Sequence, residues 1–192
     1  MSSNLMLSKK AKRVSREELA TVPVPDSTRT WCPVGHNVIL DLVVDRLADA
    51  GYSEITKMDL GLTGDGARFF GVLDMAAPIC NGDSGGVSLS IGVRNALDKA
   101  FSASMCGGQR VFVCDNLMMT GTVMALKKHT HNILEVFEEK LCEAVSQLNS
   151  FISFERIRVA WMMEQELTDA QVHDLVVKTA DSKVIPWSYV PR

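Results

Sequence analysis

An apolar stripe in the last third of the chain is the feature that most constrains the fold. Apolar side chains recur there at steps of three and four residues, which is the spacing of one face of an α-helix. Only a sheet or a second helix could cover a stripe of this length, so the rest of the chain has to supply one. The residues of the stripe are Leu134, Phe137, Leu141, Val145, Leu148 and Ile152.

The middle of the chain has the alternating pattern of β-strands. Two such runs flank "TGDG", in which Gly64 and Gly66 can adopt the positive φ angles of a hairpin turn. The alternation places Phe69, Gly71 and Leu73 on one face of the second run and the intervening residues on the other. A half-buried strand is predicted at "VSLSIGV", and a buried strand at "RVFVC" after a Gly-Gly turn.

Helices are predicted on both sides of these strands. The segment "GHNVILDLVVDRLADA" has helical spacing and ends at Gly51, and the helical period returns from about Met124. Thr168 and Gln171 have the spacing of a capping box for a last helix. We therefore predict an α+β protein with a mainly antiparallel sheet covered by C-terminal helices, forming a single domain over residues 17–192 after a basic flexible arm over residues 1–16.

The composition predicts a globular protein without a membrane segment. The 192 residues are 46% hydrophobic and 22% charged, and no apolar run approaches the ~20 residues that cross a bilayer. The first residues lack an apolar stretch after their basic residues, so no secretory signal is expected. We therefore expect a soluble protein of the reducing cytoplasm, the host cytoplasm if the protein is encoded by a phage.

The cysteines do not indicate a disulfide framework or a metal site. The five cysteines are odd in number and widely spaced, and they include no C-x-x-C pair. Cys32 and His36 form one C-x-x-x-H pair without a second pair to complete a zinc site. No cofactor or metal is predicted.

Charge is distributed unevenly along the chain. Five basic residues precede the first acidic one, Glu17, and the remainder carries 15 basic against 23 acidic residues. Ser15 and Glu18 have the spacing of a capping box for a short helix after this arm. The arm could neutralise phosphates of a nucleic acid, or it could be a solvated tail. Its basic residues are Lys9, Lys10, Lys12, Arg13 and Arg16.

The segment "NGDSGG", residues 81–86, contains the string that surrounds the nucleophile of trypsin-like serine proteases. The protease interpretation fails because His36, the sole histidine before Ser84, lies too close in sequence for a β-barrel to separate base and nucleophile. We expect a turn between two strands, since Gly, Asn and Asp favour turns. A ligand loop that includes Asp83 and Ser84 is the alternative.

Two other segments carry candidate site residues. In "KKHTH", Lys127, Lys128 and His129 form a basic patch that could contact phosphate, although a solvated helix start or a metal site with His131 are alternatives. Asp115 and Asn116 follow the strand "RVFVC", where they could cap the turn or contribute to a ligand loop. The tryptophans Trp31, Trp161 and Trp187 are not interleaved with basic residues.

The segment "SLSIGVRNALDKAFSASMCGGQRVFVCDNLMMTG", followed by "KKHTHNILEVFEEKL", resembles the phage and plasmid-like protein family classified as domain of unknown function number 932. The resemblance covers residues 30–190, and its most specific part is the strand end Cys114-Asp115-Asn116 beside His129. It implies a protein of phages, plasmids and integrated elements. It implies no catalytic residues.

These observations predict a non-enzymatic mobile-element protein that binds nucleic acid, with single-stranded DNA in replication or recombination as one possibility. A protein-interaction module is the alternative, for example a phage inhibitor of a host defence component, and it would use Trp187 and Tyr189. An uncharacterised hydrolase with Asp83, Ser84, Asp115 and His129 around one cleft is a second alternative. A homo-oligomer is also expected.

Overall fold

The computed structural model describes residues 5–6, 11–80, 87–108, 112–114, 119–120, 123–184 and 186–189. Its strands are β1 (Leu5–Met6), β2 (Ala11–Arg13), β3 (Ile55–Thr63), β4 (Arg68–Cys80), β5 (Val87–Ala96), β6 (Ala103–Gly108), β7 (Phe112–Cys114), β8 (Met119–Thr120) and β9 (Val123–Lys127). Its helices are α1 (Arg16–Ala20), α2 (His36–Asp49), α3 (Ile133–Met163), α4 (Asp169–Asp181) and a 3₁₀ turn (Trp187–Tyr189).

The main sheet has six strands in the order β2-β3-β4-β5-β6-β9, and every neighbouring pair is antiparallel. A small sheet of β1, β7 and β8 lies against β4 and β5. The predicted α+β class with a mainly antiparallel sheet is confirmed. The chain divides into two compact units, Met1–Arg156 and Ile157–Arg192, whereas the sequence predicted one domain over residues 17–192.

The helices α2 and the first part of α3 cover one face of the main sheet. The strand residues of this face alternate along the chain, as the pattern around "TGDG" predicts, and Leu62 pairs with Phe69 across the hairpin. The tip of the hairpin contains Gly66 with φ +71°, which confirms the predicted turn. The core on this face includes Ile39, Leu40, Val43, Leu47, Leu60, Phe69, Leu73, Leu89, Ile91, Val93, Met105, Phe137, Leu141 and Leu148.

The predicted apolar stripe of α3 packs on this face. Phe137, Leu141 and Leu148 are fully buried, and Val145 and Ile152 are nearly so. The stripe begins one residue earlier than predicted, because Ile133 is buried and Leu134 is exposed. Both predicted capping boxes, at Ser15 and at Thr168, are present.

Two local predictions were wrong. Residues 123–127 form strand β9 instead of a helix, because their burial alternates with period two. The residues of the predicted Gly-Gly turn are the last two residues of β6, where a Cβ atom on Gly107 would meet Leu148 Cδ2 at 2.8 Å. Residues 11–13 of the predicted flexible arm pair with β3 as an edge strand.

A buried polar network joins the start of α2 to the sheet. Asn95 Nδ2 lies 2.8 Å from the Val34 carbonyl oxygen and 3.0 Å from His36 Nδ1. His36 Nε2 lies 2.9 Å from the Gly66 carbonyl oxygen, which can only accept, so Nε2 carries the proton and Nδ1 accepts from Asn95. His36 is therefore held neutral at a fixed position in the core.

Candidate functional site

A concave pocket of about 570 Å³ opens beside the C-terminal end of β5. One wall is the segment before α2, with Thr30 and Trp31, and another is the segment between β9 and α3. The end of β5 and the β5–β6 loop complete the lining. The lining residues are Thr30, Trp31, Arg94, Lys99, Ala100, Phe101, Ser102, Lys128, His129 and Thr130.

The pocket is strongly basic although the whole chain has a net charge of −3. Arg94, Lys99 and Lys128 line it, and its described lining contains no Asp or Glu. Lys99 and Lys128 form no ion pair with a carboxylate that the structure describes. Their charges are therefore available to an anion that enters the pocket.

Two of the cations lie over aromatic rings of the same pocket. Lys99 Nζ is 4.8 Å from the centroid of the Trp31 ring, and Arg94 Cζ is 5.0 Å from the centroid of the Phe101 ring. Phe101 is fixed in turn by Phe70, with the ring centroids 5.6 Å apart. Such cation–π pairs orient the charged groups without neutralising them.

The loop that carries Lys99 has an unusual backbone. Lys99 has φ +66°, a left-handed conformation that costs a residue with a Cβ atom about 1 kcal/mol or more. Asp98 holds the turn, because its Oδ1 accepts from the Ala100 amide at 3.0 Å and its Oδ2 lies 2.6 Å from Arg68 Nε. The ion pair to β4 thus fixes a strained position at the pocket.

His129 is the buried polar side chain of the site. It is 4% exposed, and neither ring nitrogen has a hydrogen-bond partner among the described residues. The pKa of His129 is lowered, chiefly because burial penalises the charged ring. The nearby Cys32 backbone partly offsets this lowering, although it does not form a hydrogen bond of good geometry with the ring. Trp31 Nε1 is likewise buried without a described partner.

Three contacts hold two walls of the pocket together. The Cys32 amide donates to the His129 carbonyl oxygen at 3.2 Å. Cys32 Sγ lies 3.2 Å from His131 Nδ1, and His131 Nε2 lies 2.6 Å from the Arg29 carbonyl oxygen. The segment before α2 is therefore attached to the segment before α3, although the two lie far apart in sequence.

The sequence-predicted basic residues fall into two groups. Lys128 and His129 of the "KKHTH" patch line the pocket, while Lys127 is half-buried at the end of β9 outside the lining. The described basic residues of the arm instead pair with carboxylates: Lys12 with Glu18 at 3.9 Å, Arg13 with Asp59 at 3.8 Å and Arg16 with Asp41 at 2.6 Å. The described arm residues Lys12, Arg13 and Arg16 are not part of the pocket lining.

Several predicted residues lie outside the part of the chain that the structure describes, namely Lys9, Lys10, Asp83, Ser84, Asp115 and Asn116. The strands that flank "NGDSGG" are adjacent and antiparallel, with Cys80 opposite Val87. His36 cannot serve a serine as base, because its nitrogens are occupied by Gly66 and Asn95 and its pKa is lowered to about 4, mainly by burial. The described residues form a six-stranded sheet and a three-stranded sheet in place of the two barrels of a trypsin-like protease.

Sequence reasoning missed Arg94, Lys99 and Phe101, which complete the pocket, and it named Trp31 without assigning it to a site. Their chain segments meet only because β5 ends next to the segment before α2. No local sequence pattern predicts this contact between distant segments. The described residues contain no cluster of three or more potential metal ligands, and no described helix is long and apolar enough to cross a bilayer.

The fold and the pocket define an α+β protein with a basic, aromatic-lined cavity. Comparison with protein-family models, curated proteins and solved structures finds no match. The resemblance to the phage and plasmid-like family stays a prediction.

Proposed function

We propose that this protein binds single-stranded nucleic acid and that the basic pocket holds one of its nucleotides. The observation that carries the proposal is a pocket lined by three cations and no described acid, in which two of the cations lie over aromatic rings. A phosphate provides the acceptor oxygens and negative charge that such a lining selects.

The cations and hydroxyls of the pocket support recognition of a phosphate. Arg94 adds the positive charge of its guanidinium to the lining. Lys99 and Lys128 add charge from two different chain segments, and Thr30, Ser102 and Thr130 add hydroxyl donors. The whole molecule is acidic, so the attraction for an anion is concentrated at this pocket.

The aromatic rings support recognition of a base. Trp31 and Phe101 belong to the lining, as do the cations that lie over their rings. A base that stacks on such a ring contributes about 1–3 kcal/mol to the free energy of binding. A cavity of about 570 Å³ is within the usual range for a small-molecule site and is large enough for one nucleotide. A base has to leave its stack to enter such a cavity, which favours a single strand over a duplex.

Fluorescence anisotropy with a labelled oligothymidylate and a hairpin duplex of equal length tests the proposal. The wild type should bind the single strand more tightly, and Lys99→Ala and Lys128→Ala should each weaken binding about three- to tenfold. Each should also reduce the slope of log affinity against log salt by about 0.7, the value for one lost phosphate contact on a single strand.

Lys140→Ala is the matched control, since Lys140 is exposed on α3 outside the pocket lining. Its affinity and salt slope should equal those of the wild type. Equal losses in all three variants would show that binding depends on overall charge and would reject the pocket as the site. Absence of binding by the wild type at low salt would reject the function.

A second candidate function, interaction with another protein, is favoured by exposed apolar side chains in Ile157–Arg192. Trp161 and Trp187 are 59% and 55% exposed, and Ile157 is 72% exposed. Exposed apolar side chains of this size are enriched at protein interfaces. If they bind a host protein, Ile157→Glu combined with Trp161→Glu should abolish its recovery in a pull-down that the wild type supports.

A further inference from the structure

We propose that Cys32 and His131 form a nucleophilic thiol–imidazole pair that reacts with small disulfides, such as oxidised glutathione. The proposal rests on the contact of 3.2 Å between Cys32 Sγ and His131 Nδ1. It does not depend on nucleic-acid binding, because it concerns a side-chain pair outside the pocket lining.

The main chain fixes the imidazole as a proton acceptor for the thiol. His131 Nε2 lies 2.6 Å from the Arg29 carbonyl oxygen, which can only accept a hydrogen bond. In the neutral ring the proton therefore resides on Nε2, and Nδ1 presents its lone pair to the Cys32 thiol. A nucleophile, a base and a group that orients the base are the three parts of an activated cysteine.

The position of the pair permits access by a small reagent. Cys32 is half-buried and His131 is exposed. The Cys32 amide is hydrogen-bonded to the His129 carbonyl oxygen at 3.2 Å, so the sulfur is held at a fixed place beside the imidazole. Two other cysteines serve for comparison: Cys142 is exposed, and Cys106 is buried with its pKa raised to about 12 by burial.

The reaction is a thiol–disulfide exchange. The proton of the Cys32 thiol passes to His131 Nδ1 as Sγ attacks one sulfur of the disulfide. The new Sγ–S bond forms while the S–S bond of the reagent breaks, and the released thiolate takes the proton from the imidazolium. Cys32 is oxidised to a mixed disulfide, and one half of the reagent is reduced to a free thiol.

Reaction of the full chain with oxidised glutathione at neutral pH, followed by peptide mapping with mass spectrometry, tests this assignment. Each cysteine is followed separately in the same sample. Cys32 should form the mixed disulfide at least about tenfold faster than Cys142, although it is less exposed, because general-base assistance contributes about 10² or more. Cys106 should remain unmodified.

His131→Gln separates proton transfer from positioning, because a glutamine amide can still donate to the Arg29 carbonyl oxygen but cannot accept the thiol proton at neutral pH. It should slow the reaction of Cys32 about tenfold and leave Cys142 unchanged. His173→Gln, at an exposed position on α4, is the matched control and should react like the wild type.

Cys32 reacting no faster than Cys142 in the wild type would overturn the assignment, and that comparison needs no variant. Unchanged or faster reaction of Cys32 in His131→Gln would also overturn it, since it would show that His131 shields the thiol.

Discussion

The side-chain amide of Asn95 donates a hydrogen bond of 3.0 Å to Nδ1 of His36, and both side chains are fully buried. The same amide donates to the Val34 carbonyl oxygen, and His36 donates to Gly66 at the tip of the β3–β4 hairpin. This network positions the segment before α2, which carries Trp31 to the pocket. Its chemistry therefore supports both the stability of the fold and the shape of the site.

Protonation of His36 should destabilise the protein in mild acid. Its folded pKa is lowered to about 4 from 6.5, so between these values the unfolded state binds more protons than the folded state. The contribution of His36 to the free energy of unfolding should therefore fall as pH drops below 6.5, by about 3 kcal/mol in total at pH 4. Urea denaturation at several pH values measures the dependence of the free energy of unfolding on pH. His173→Gln should leave this dependence unchanged.

Removal of the Asn95 side chain should cost more than loss of an exposed hydrogen bond. Asn95→Ala leaves the Val34 carbonyl and His36 Nδ1 buried without this donor, a loss of about 2–4 kcal/mol. Asn149→Ala removes the exposed contact of 2.6 Å with the Tyr52 hydroxyl and should cost about 1 kcal/mol or less. Equal effects in chemical denaturation would contradict the importance of the buried network.

Enlargement of Gly107 should destabilise the contact between β6 and α3. A Cβ atom there would lie 2.8 Å from Leu148 Cδ2 and 3.2 Å from Ile91 Cδ1, and all of these side chains are buried. Gly107→Ala should cost about 1–3 kcal/mol of unfolding free energy. In a Leu148→Ala background the same change should cost less, because the overlap is removed. Additive effects in this double-mutant cycle would refute the proposed overlap.

The sequence predicted the parts of the fold that depend on local pattern. The hairpin at Gly66, the helix α2 and the stripe of Phe137, Leu141 and Leu148 follow from periodicity and turn chemistry, and they are present. Residues 123–127 were mistaken for a helix because an apolar pentapeptide that ends in one lysine suits either state, and pairing with β6 decides in favour of a strand.

Only part of the candidate site was predictable. Lys128 and His129 stood out as neighbours in a basic segment, but Arg94 and Lys99 reach them through sheet topology that no local pattern encodes. The contact between Cys32 and His131 was also not predictable from local pattern. The histidine nearest to Cys32 in sequence is His36, and yet Cys32 contacts His131. The predicted role of the arm residues Arg13 and Arg16 stays a prediction, and the charge pattern did not reveal the carboxylates with which they pair.

Binding of a phosphate ligand in the pocket should strengthen as pH falls. Burial lowers the pKa of His129 in the free protein, whereas an anion beside the ring favours its charged form and raises that pKa. Binding is then coupled to proton uptake, and affinity should increase as pH drops through the bound-state pKa and level off below the free-state pKa. Calorimetry in two buffers of different ionisation enthalpy measures the uptake, with an oligothymidylate as ligand above the pH at which His36 protonates. His129→Gln should abolish this uptake, while His173→Gln should retain it. If proton uptake persists in His129→Gln, a residue other than His129 takes up the proton.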